Sequence, residues 1–335
     1  MEVISPEKYS FEVLSDEELA RLEEEGKGEQ KRITVERDRL YGERIDRSKE
    51  LPKLAKRIFI LDCSTRANGF ATKFITLADH RLDLTNADTV PVAADNVAYP
   101  NFDECAGIII SGSAANPSEK DEYPWINTVK DYVGKAVEKG IPVMGICFGM
   151  QLLADMEGRE VPKNVGGIEQ GHWKTSIFAK KSELEHPFFK GLNFQTDSTN
   201  EFGSALISTL GTHSYSAKKG DNSPHGYSYP AHVFSADSIS PELLENPYQY
   251  PMIEMRGDRK IFGVQFHPEY SNLLGADYQT TRVKINARKI QGSGQNPLKL
   301  LEGLKQYKNE LQTGPTNADG SVLLKNFIDI CLSEN

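Results

Sequence analysis

Cys147 stands between two glycines, in the segment Gly-Ile-Cys-Phe-Gly at 145–149, directly after the apolar run 141–144. A strand that turns sharply into a helix at such a segment strains the backbone of the middle residue, and glycines avoid Cβ clashes beside it. The N-terminus of the following helix favours the thiolate, which is the reactive form of cysteine. The pattern predicts a cysteine nucleophile; a buried cysteine packed between glycines is the alternative.

A general base is predicted from residues 261–269, which read Ile-Phe-Gly-Val-Gln-Phe-His-Pro-Glu. In an extended segment every second side chain points the same way, so we expect His267 and Glu269 to share one side, with Pro268 fixing the backbone between them. A carboxylate in that position orients the imidazole. Together with the cysteine segment, the spacing predicts a triad in which Cys147 is the nucleophile, His267 the general base and then acid, and Glu269 the orienting group.

The two motifs resemble those of the class I (triad) glutamine amidotransferases, in which they correspond to residues 145–151 and 263–269. A third segment, Gly-Ile-Ile-Ile-Ser-Gly-Ser at 107–113, is similar to the strand and glycine-rich turn of that family. The resemblance covers roughly residues 56–271. It extends to a last helix at 321–332.

The resemblance also implies roles for individual residues. The Gly112 region and the N–H of Phe148 are expected to form the oxyanion hole, and Gln151 is expected to help bind glutamine. A segment that contacts the α-amino and carboxylate groups of glutamine through its backbone corresponds to His213, Ser214 and Tyr215. One departure is the turn at 112–117, where Gly-Ser-Ala-Ala-Asn-Pro replaces the Gly-Gly-Pro type of turn that the family usually has.

The strands and helices that must position these residues alternate along the chain. Strands are predicted at 57–62, 107–111 and 142–146, with a helix at 125–139 between the last two. Repeated strand–helix–strand units indicate an α/β fold with a doubly wound, mostly parallel sheet and helices on both faces. In such sheets ligands bind at the carboxyl ends of the strands, where Cys147 and Gly112 both lie.

The domain organisation predicted from the sequence has a charged N-terminal extension at 1–55 and one amidotransferase-like domain at 56–335. Within that domain, residues 272–319 are an insertion before the last helix, because the family usually runs soon from its His-Pro-Glu strand to that helix. Neither flank is covered by the resemblance, and no internal repeat is visible.

The two flanking segments have readable local patterns. Ser15 begins a capping box for a helix that Gly26 is expected to end. This extension is either a solvated tail or an arm that packs on the domain or on a partner. In the insertion, a basic stretch at 282–290 either docks an acidic partner or is a solvated face, and we favour the solvated face; a helix is predicted at 297–311.

Tyrosine and proline are frequent in residues 213–250, which form either a wall of the site mouth that recognises a partner or acceptor, or a surface loop packed by its own rings. Three histidines in this region lack metal-ligand spacing: His213, His225 and His232. We therefore expect no metal and no cofactor.

Composition excludes several classes of function. The chain has 335 residues, is 38% hydrophobic and carries a formal net charge of −9. Such a charge argues against nucleic-acid binding, which needs basic clusters. No run approaches the length of about 20 apolar residues that spans a bilayer, so no membrane association is expected. Four widely spaced cysteines suggest free thiols in a reducing compartment, and hence a cytoplasmic protein.

The resemblance implies an enzyme that hydrolyses the side-chain amide of glutamine through a γ-glutamyl thioester and releases ammonia for a synthetase partner. A stand-alone γ-glutamyl hydrolase that acts on a γ-glutamyl compound larger than glutamine is the alternative. A third hypothesis is a catalytically silent regulatory binding protein on the same scaffold, against which the intact cysteine, histidine and glutamate argue.

Overall fold

A computed structural model describes residues 13–65, 69–94, 96–163, 169–196, 202–213, 225–230, 253–256, 260–313 and 320–333. The helices of these residues are α1 (Asp16–Ser48), α2 (Phe70–Ala78), α3 (Trp125–Glu138), α4 (Phe148–Met156), α5 (Leu273–Ile285), α6 (Ala287–Gly292), α7 (Pro297–Thr313) and α8 (Ser321–Ser333). The strands are β1 (Arg57–Leu61), β2 (Ala87–Val90), β3 (Cys105–Ile110), β4 (Val143–Ile146), β5 (Glu169–Lys180), β6 (Gln195–Thr196), β7 (Phe202–His213), β8 (His225–Pro230), β9 (Ile253–Arg256) and β10 (Ile261–Val264).

The central sheet has the strand order β2-β1-β3-β4-β10-β9 among the described residues. Every neighbouring pair is parallel except β9 and β10, which run antiparallel. The predicted α/β class with a mostly parallel sheet is therefore confirmed. The parallel arrangement brings the carboxyl ends of β1, β3, β4 and β10 to one edge, and the loops that follow them carry the predicted site residues.

Both faces of the central sheet are covered, as alternation along β1 shows. Ile58 and Ile60 lie in an apolar cluster that includes Phe327 of α8. Phe59 and Leu61 lie in a second cluster, which also contains buried residues of α3 and α4. Because successive side chains of a strand point to opposite faces, these fully buried runs need a layer of cover on each side.

A second, antiparallel sheet with the order β6-β7-β5-β8 occupies the chain between the cysteine and the histidine. Its long pair runs from Glu169 opposite His213 to Lys180 opposite Phe202. A backbone hydrogen bond links this sheet to the predicted site: the N–H of His267 donates to the carbonyl of Leu210 on β7 at 2.8 Å.

Helix α1 is longer than the sequence pattern predicts. Ser15 forms the expected capping box with Glu18, whose carboxylate accepts from the Ser15 N–H at 2.8 Å. The prediction that Gly26 ends the helix is wrong, because α1 is 33 residues long and continues to Ser48. Gly26 instead allows close helix packing: a Cβ atom there would lie 2.8 Å from Cβ of Lys284 on α5.

The acidic side of α1 pairs with the basic stretch at 282–290. The ammonium group of Lys284 lies 2.7 Å from Glu29 and 3.6 Å from Glu25. The guanidinium group of Arg288 pairs with Asp16. The interpretation of this stretch as a solvated face is therefore wrong: its acidic partner is the N-terminal helix of the same chain. None of the helices in the described ranges is long and apolar enough to cross a bilayer.

A matched pair of glycines tests this packing. Gly28→Ala is expected to raise the free energy of unfolding by about 0.5–1 kcal/mol, because alanine favours a helix and no atom lies within 4 Å of the new Cβ position. Gly26→Ala is expected to lower the free energy of unfolding by about 1–3 kcal/mol through overpacking against α5. Urea denaturation measures both variants. Equal stabilisation of the two would show that α1 does not lie against α5.

Candidate active site

Cys147 occupies the junction between β4 and α4 in a strained conformation, with φ 52° and ψ −105°. Positive φ is unfavourable for residues that carry a Cβ atom, and such a conformation costs about 1–3 kcal/mol. Two backbone hydrogen bonds hold it: the Cys147 N–H donates to the carbonyl of Val264 at 2.7 Å, and its own carbonyl accepts from Gln151 at 3.1 Å. This strained turn from β4 into α4, the cysteine elbow, is present as predicted.

Glycines flank Cys147 because backbone atoms occupy the places that side chains would take. A Cβ atom on Gly145 would lie 2.3 Å from the carbonyl carbon of Gly149. A Cβ atom on Gly149 would lie 2.3 Å from the carbonyl oxygen of Ile110, the last residue of β3. The start of α4 can therefore press against both β4 and β3.

The His267–Glu269 pair forms in a way that the sequence analysis did not anticipate. Strand β10 ends at Val264, and Pro268–Tyr270 form a short 3-10 turn rather than a continued strand. The turn brings Nδ1 of His267 within 2.6 Å of Oε1 of Glu269. The prediction that the carboxylate lies beside the imidazole is thus correct, but strand alternation is the wrong reason for it.

The imidazole of His267 is buried between fixed groups. The ring of Tyr270 stacks on it at a centroid distance of 4.7 Å, and the Cys147 side chain hydrogen-bonds to it. Burial opposes protonation of the ring, but the charges of Glu269 and Cys147 and their hydrogen bonds outweigh burial, so the pKa of His267 lies well above its ordinary value. A protonated imidazole is therefore favoured between a carboxylate and a sulfur atom.

Two other thiols lie in very different surroundings. Burial raises the pKa of the Cys63 thiol well above its usual value, and the nearby carboxylate of Asp62 adds to the rise. Burial raises the pKa of Cys105 to about 12. Since only the thiolate is a good nucleophile, these two cysteines are expected to be inert at neutral pH.

Gly112, which follows β3, lies against both proposed catalytic side chains. A Cβ atom on Gly112 would stand 2.8 Å from Cε1 of His267 and 3.7 Å from Cβ of Cys147. The side chain of Ser111 holds this turn, since its hydroxyl accepts from the Cys63 N–H at 2.9 Å and donates to the Gly112 carbonyl at 3.1 Å. These hydrogen bonds join the turn to the loop that follows β1. They do so although the sequence of the turn differs from the family's usual form.

The class-I glutamine amidotransferase family model matches residues 85–277, which include the elbow, the Gly112 turn and the His-Pro-Glu segment. The chain belongs to this family.

Curated relatives match a shorter part of the chain. A GMP synthase (glutamine-hydrolyzing) from Shewanella piezotolerans is 29% identical over 167 residues, which are 50% of this chain and 26% of the relative. The corresponding enzyme from Shewanella sediminis is 30% identical over 166 residues, with the same coverage. The match therefore spans about a quarter of the length of these relatives.

A solved glutamine amidotransferase from Thermotoga maritima shares the fold of this family member. Its TM-score is 0.54 at 16% identity, and the alignment covers 83% of this chain and 99% of that one. At this identity the likeness concerns the fold alone.

The structure describes the other predicted site residues only in part. Gln151 is buried on α4, where its amide donates to the side-chain oxygen of Gln265 at 3.2 Å. Phe148 is buried at the first position of the same helix. The backbone of His213 ends β7, whereas Ser214 and Tyr215 lie outside the described residues. The roles of all these residues stay predictions.

A cavity of about 150 Å³ opens beside His267 and Gly112. Three segments that the sequence analysis did not connect with the site line it: the loop after β1, with Ser64, helix α2, with Phe70, and helix α5, with Arg282. The sequence could have predicted that the loop after β1 lines the site, because this loop follows a strand at the edge of the sheet where ligands bind. The contribution of α5 could not have been predicted, because only tertiary packing brings this helix to the edge of the sheet.

The described ranges contain no group of three or more histidine, cysteine, aspartate or glutamate side chains arranged to hold a metal ion.

Proposed function

We propose that Cys147, His267 and Glu269 hydrolyse the side-chain amide of glutamine. The observation that carries this proposal is the chain of contacts at the carboxyl edge of the central sheet. A cysteine in a strained elbow hydrogen-bonds to an imidazole, and a carboxylate holds that imidazole from its other side at 2.6 Å. Nucleophile, base and orienting group are the three parts of a triad.

The reaction proceeds in two steps. The thiolate of Cys147 attacks the γ-carbonyl carbon, and His267 donates a proton to the amide nitrogen as the C–N bond breaks and ammonia leaves. Water then attacks the γ-glutamyl thioester while His267 accepts its proton, and cleavage of the C–S bond releases glutamate and restores the thiolate. Glu269 stabilises the imidazolium in both steps.

The oxyanion of each tetrahedral intermediate needs hydrogen-bond donors. The backbone amides near Gly112 and of Phe148 are the proposed donors, since they flank the cysteine from β3 and from α4. Removing one such donor typically costs about 2.7–4 kcal/mol of transition-state stabilisation. We further propose that Gln151 and the backbone of the segment that contains His213, Ser214 and Tyr215 bind glutamine.

A synthetase is the proposed consumer of the ammonia. Support comes from the curated relatives, which are glutamine-hydrolyzing GMP synthases and whose matched part is 26% of their length. The family-model match at residues 85–277 contains the proposed site for glutamine hydrolysis, and ammonia formed there needs an acceptor active site.

Selective labelling tests the proposed nucleophile. A glutamine analogue with an electrophilic γ-carbon is expected to modify Cys147 and to leave Cys63 and Cys105 unmodified at pH 7.5, because burial holds the pKa of both other thiols far above that pH. Mass spectrometry of peptides measures the modification, and enzymatic assay of glutamate measures turnover in the same preparation.

Glutamine should protect Cys147 from the analogue in proportion to its occupancy of the site. Modification of Cys63 or Cys105 instead, or modification that glutamine does not slow, contradicts the assignment. A folded chain that is neither labelled nor active, alone or with a synthetase, would favour a silent binding protein.

A further inference from the structure

The ring of Tyr270 lies nearly parallel to the imidazole of His267, with an interplanar angle of 17° and a centroid distance of 4.7 Å. The short 3-10 turn explains this stack. Side chains three residues apart eclipse each other in such a turn, and the Tyr270 N–H donates to the His267 carbonyl at 3.1 Å. The turn that brings Glu269 to the edge of the imidazole therefore also brings an aromatic ring to its face.

The hydrogen bonds of the His267 imidazole fix its direction within the plane of the ring. Glu269 holds Nδ1 at 2.6 Å, and the Cys147 side chain is a second hydrogen-bond partner. Neither contact by itself stops the ring from tilting about the line that joins the two partners, because hydrogen bonds tolerate a range of angles. A parallel aromatic ring opposes that tilt, and its electron-rich face attracts the charge of the imidazolium.

The first turn of α5 holds the backbone of Tyr270. Asn272 caps this helix: its side-chain oxygen accepts from the Gly275 N–H at 2.9 Å, and its side-chain amide donates to the Glu269 carbonyl at 3.3 Å. A Cβ atom on Gly275 would lie 2.3 Å from Cα and from the carbonyl oxygen of Tyr270. The helix can therefore approach Tyr270 this closely only because residue 275 has no side chain.

Helices α2 and α1 extend the support of the Tyr270 ring. Phe74 of α2 meets that ring edge to face, at a centroid distance of 5.0 Å. On α1, the buried guanidinium group of Arg37 lies 5.6 Å from the centroid of Phe74 and 4.8 Å from the centroid of Phe70. A continuous series of contacts therefore runs from Arg37 through Phe74 and Tyr270 to the imidazole of His267.

We propose that Tyr270 is a positioning residue for His267, and that helix α1 supports it through Arg37 and Phe74. The inference rests on the proposed function, because it takes His267 as the group that transfers protons. Tyr270 acts through the imidazole: it keeps the ring in the orientation in which Cys147 and Glu269 both bond to it. A misplacement of about 1 Å in such a group can cost about 10²-fold in rate.

Replacement of the stacked ring tests the role of Tyr270. Tyr270→Leu is expected to lower kcat for glutamine hydrolysis by roughly 10- to 100-fold with little change in KM, because the tilt of the imidazole affects proton transfer more than substrate binding. Tyr270→Phe keeps an aromatic ring in this place and should retain most of the wild-type kcat. Urea denaturation of each variant gives the folded fraction to which its rate is normalised.

Arg37→Met tests the contribution of α1, because methionine fills much of the same space without the charge. The lost cation–π contact is expected to lower kcat by roughly 2- to 10-fold, again with little change in KM. Asp38, which pairs with Arg37, keeps Lys73 at 3.1 Å as a partner. Arg39→Gln is the matched control and should keep the wild-type kcat, since Arg39 lies exposed on the same helix and pairs with carboxylates of that helix.

Proton NMR gives a readout that does not depend on turnover. The proton between Nδ1 of His267 and Oε1 of Glu269, which are 2.6 Å apart, is expected to give a far-downfield signal. Loss of this signal in Glu269→Gln assigns it. The signal should weaken or disappear in Tyr270→Leu and persist in Tyr270→Phe. If Tyr270 served only the stability of the fold, Tyr270→Leu would lower the free energy of unfolding and leave the signal in place.

The outcomes separate the positioning role from the proposed function. A wild-type kcat and an unchanged signal in Tyr270→Leu overturn the positioning role and leave the glutaminase intact. Equal losses in Tyr270→Leu and Tyr270→Phe also overturn it, because the stacked ring would then not be the feature that matters.

Two further results have a defined meaning. If Tyr270→Leu does not fold, Arg37→Met decides, and a wild-type kcat with an unchanged signal in that variant overturns the proposal. If the wild type hydrolyses no glutamine, alone or with a synthetase, the proposed function fails. The NMR signal in Tyr270→Leu and Tyr270→Phe then decides by itself whether Tyr270 positions the imidazole.

Discussion

Replacement of Cys147 by alanine is expected to lower kcat for glutamine hydrolysis by roughly 10⁶-fold, the scale observed when a triad nucleophile is removed. Residual hydrolysis should show no burst and no thioester, because no other described cysteine combines an elbow position with a neighbouring imidazole. Steady-state assays with ammonia detection measure the loss, and acid quenching followed by mass spectrometry detects the thioester in the wild type.

Stability provides the control for this substitution. At φ 52° and ψ −105° a residue with a Cβ atom is strained, and glycine is not. Cys147→Gly is therefore expected to unfold at a higher urea concentration than Cys147→Ala, with both equally inactive. Retained activity in either variant would place the nucleophile elsewhere. A glycine variant less stable than the alanine variant would argue against a strained elbow.

The second large effect is expected from changes to the His267–Glu269 pair. Glu269→Gln is expected to lower kcat by roughly 10²–10⁴-fold, because an amide does not stabilise the imidazolium and selects the wrong tautomer. His267→Asn should be more severe, since it removes the group that transfers the proton. If Glu269→Gln is silent, some other group orients the imidazole, and the 2.6 Å contact serves structure alone.

A shift in pH dependence should accompany the loss of the carboxylate. Burial by itself lowers the pKa of His267, and the charge of Glu269 is the first of the effects that raise it. In Glu269→Gln the pKa of the ring should therefore fall, and the alkaline limb of the kcat/KM profile, where the ring loses its proton, should move to lower pH. A profile that keeps its alkaline limb in place would contradict this assignment.

The same pair links stability to pH. The folded-state pKa of His267 lies above the unfolded value of about 6.5. Its protonation therefore contributes stability that is fully present below that pH and is lost as the pH rises through the folded-state value. Urea denaturation across this range should show the loss in the wild type and a smaller loss in His267→Asn.

Local sequence determined the elbow and the sheet. The order of apolar run, glycine, cysteine and glycine leaves few conformations in which Cys147 avoids a clash, and the alternating strands and helices demand a parallel sheet covered on both faces. These features depend on neighbours within a few residues, or on periodicity, and both are readable without coordinates. The position of Gly112 beside the cysteine follows as well, because adjacent parallel strands end at one edge.

Tertiary structure decided what surrounds the nucleophile. From sequence alone, a glycine such as Gly26 predicts the end of a helix. In the structure α1 continues through Gly26, because α5 packs closely against it. The stability gained by burying one helix face against another exceeds the loss of helix propensity at glycine. The sequence predicts a solvated face for the basic stretch at 282–290, whereas in the structure α1 supplies acidic partners for it. Arg282 reaches the cavity beside His267 by the same packing of α1, α5 and the sheet edge. Contacts between segments more than two hundred residues apart depend on how whole faces fit together, and no local pattern in the chain encodes that fit.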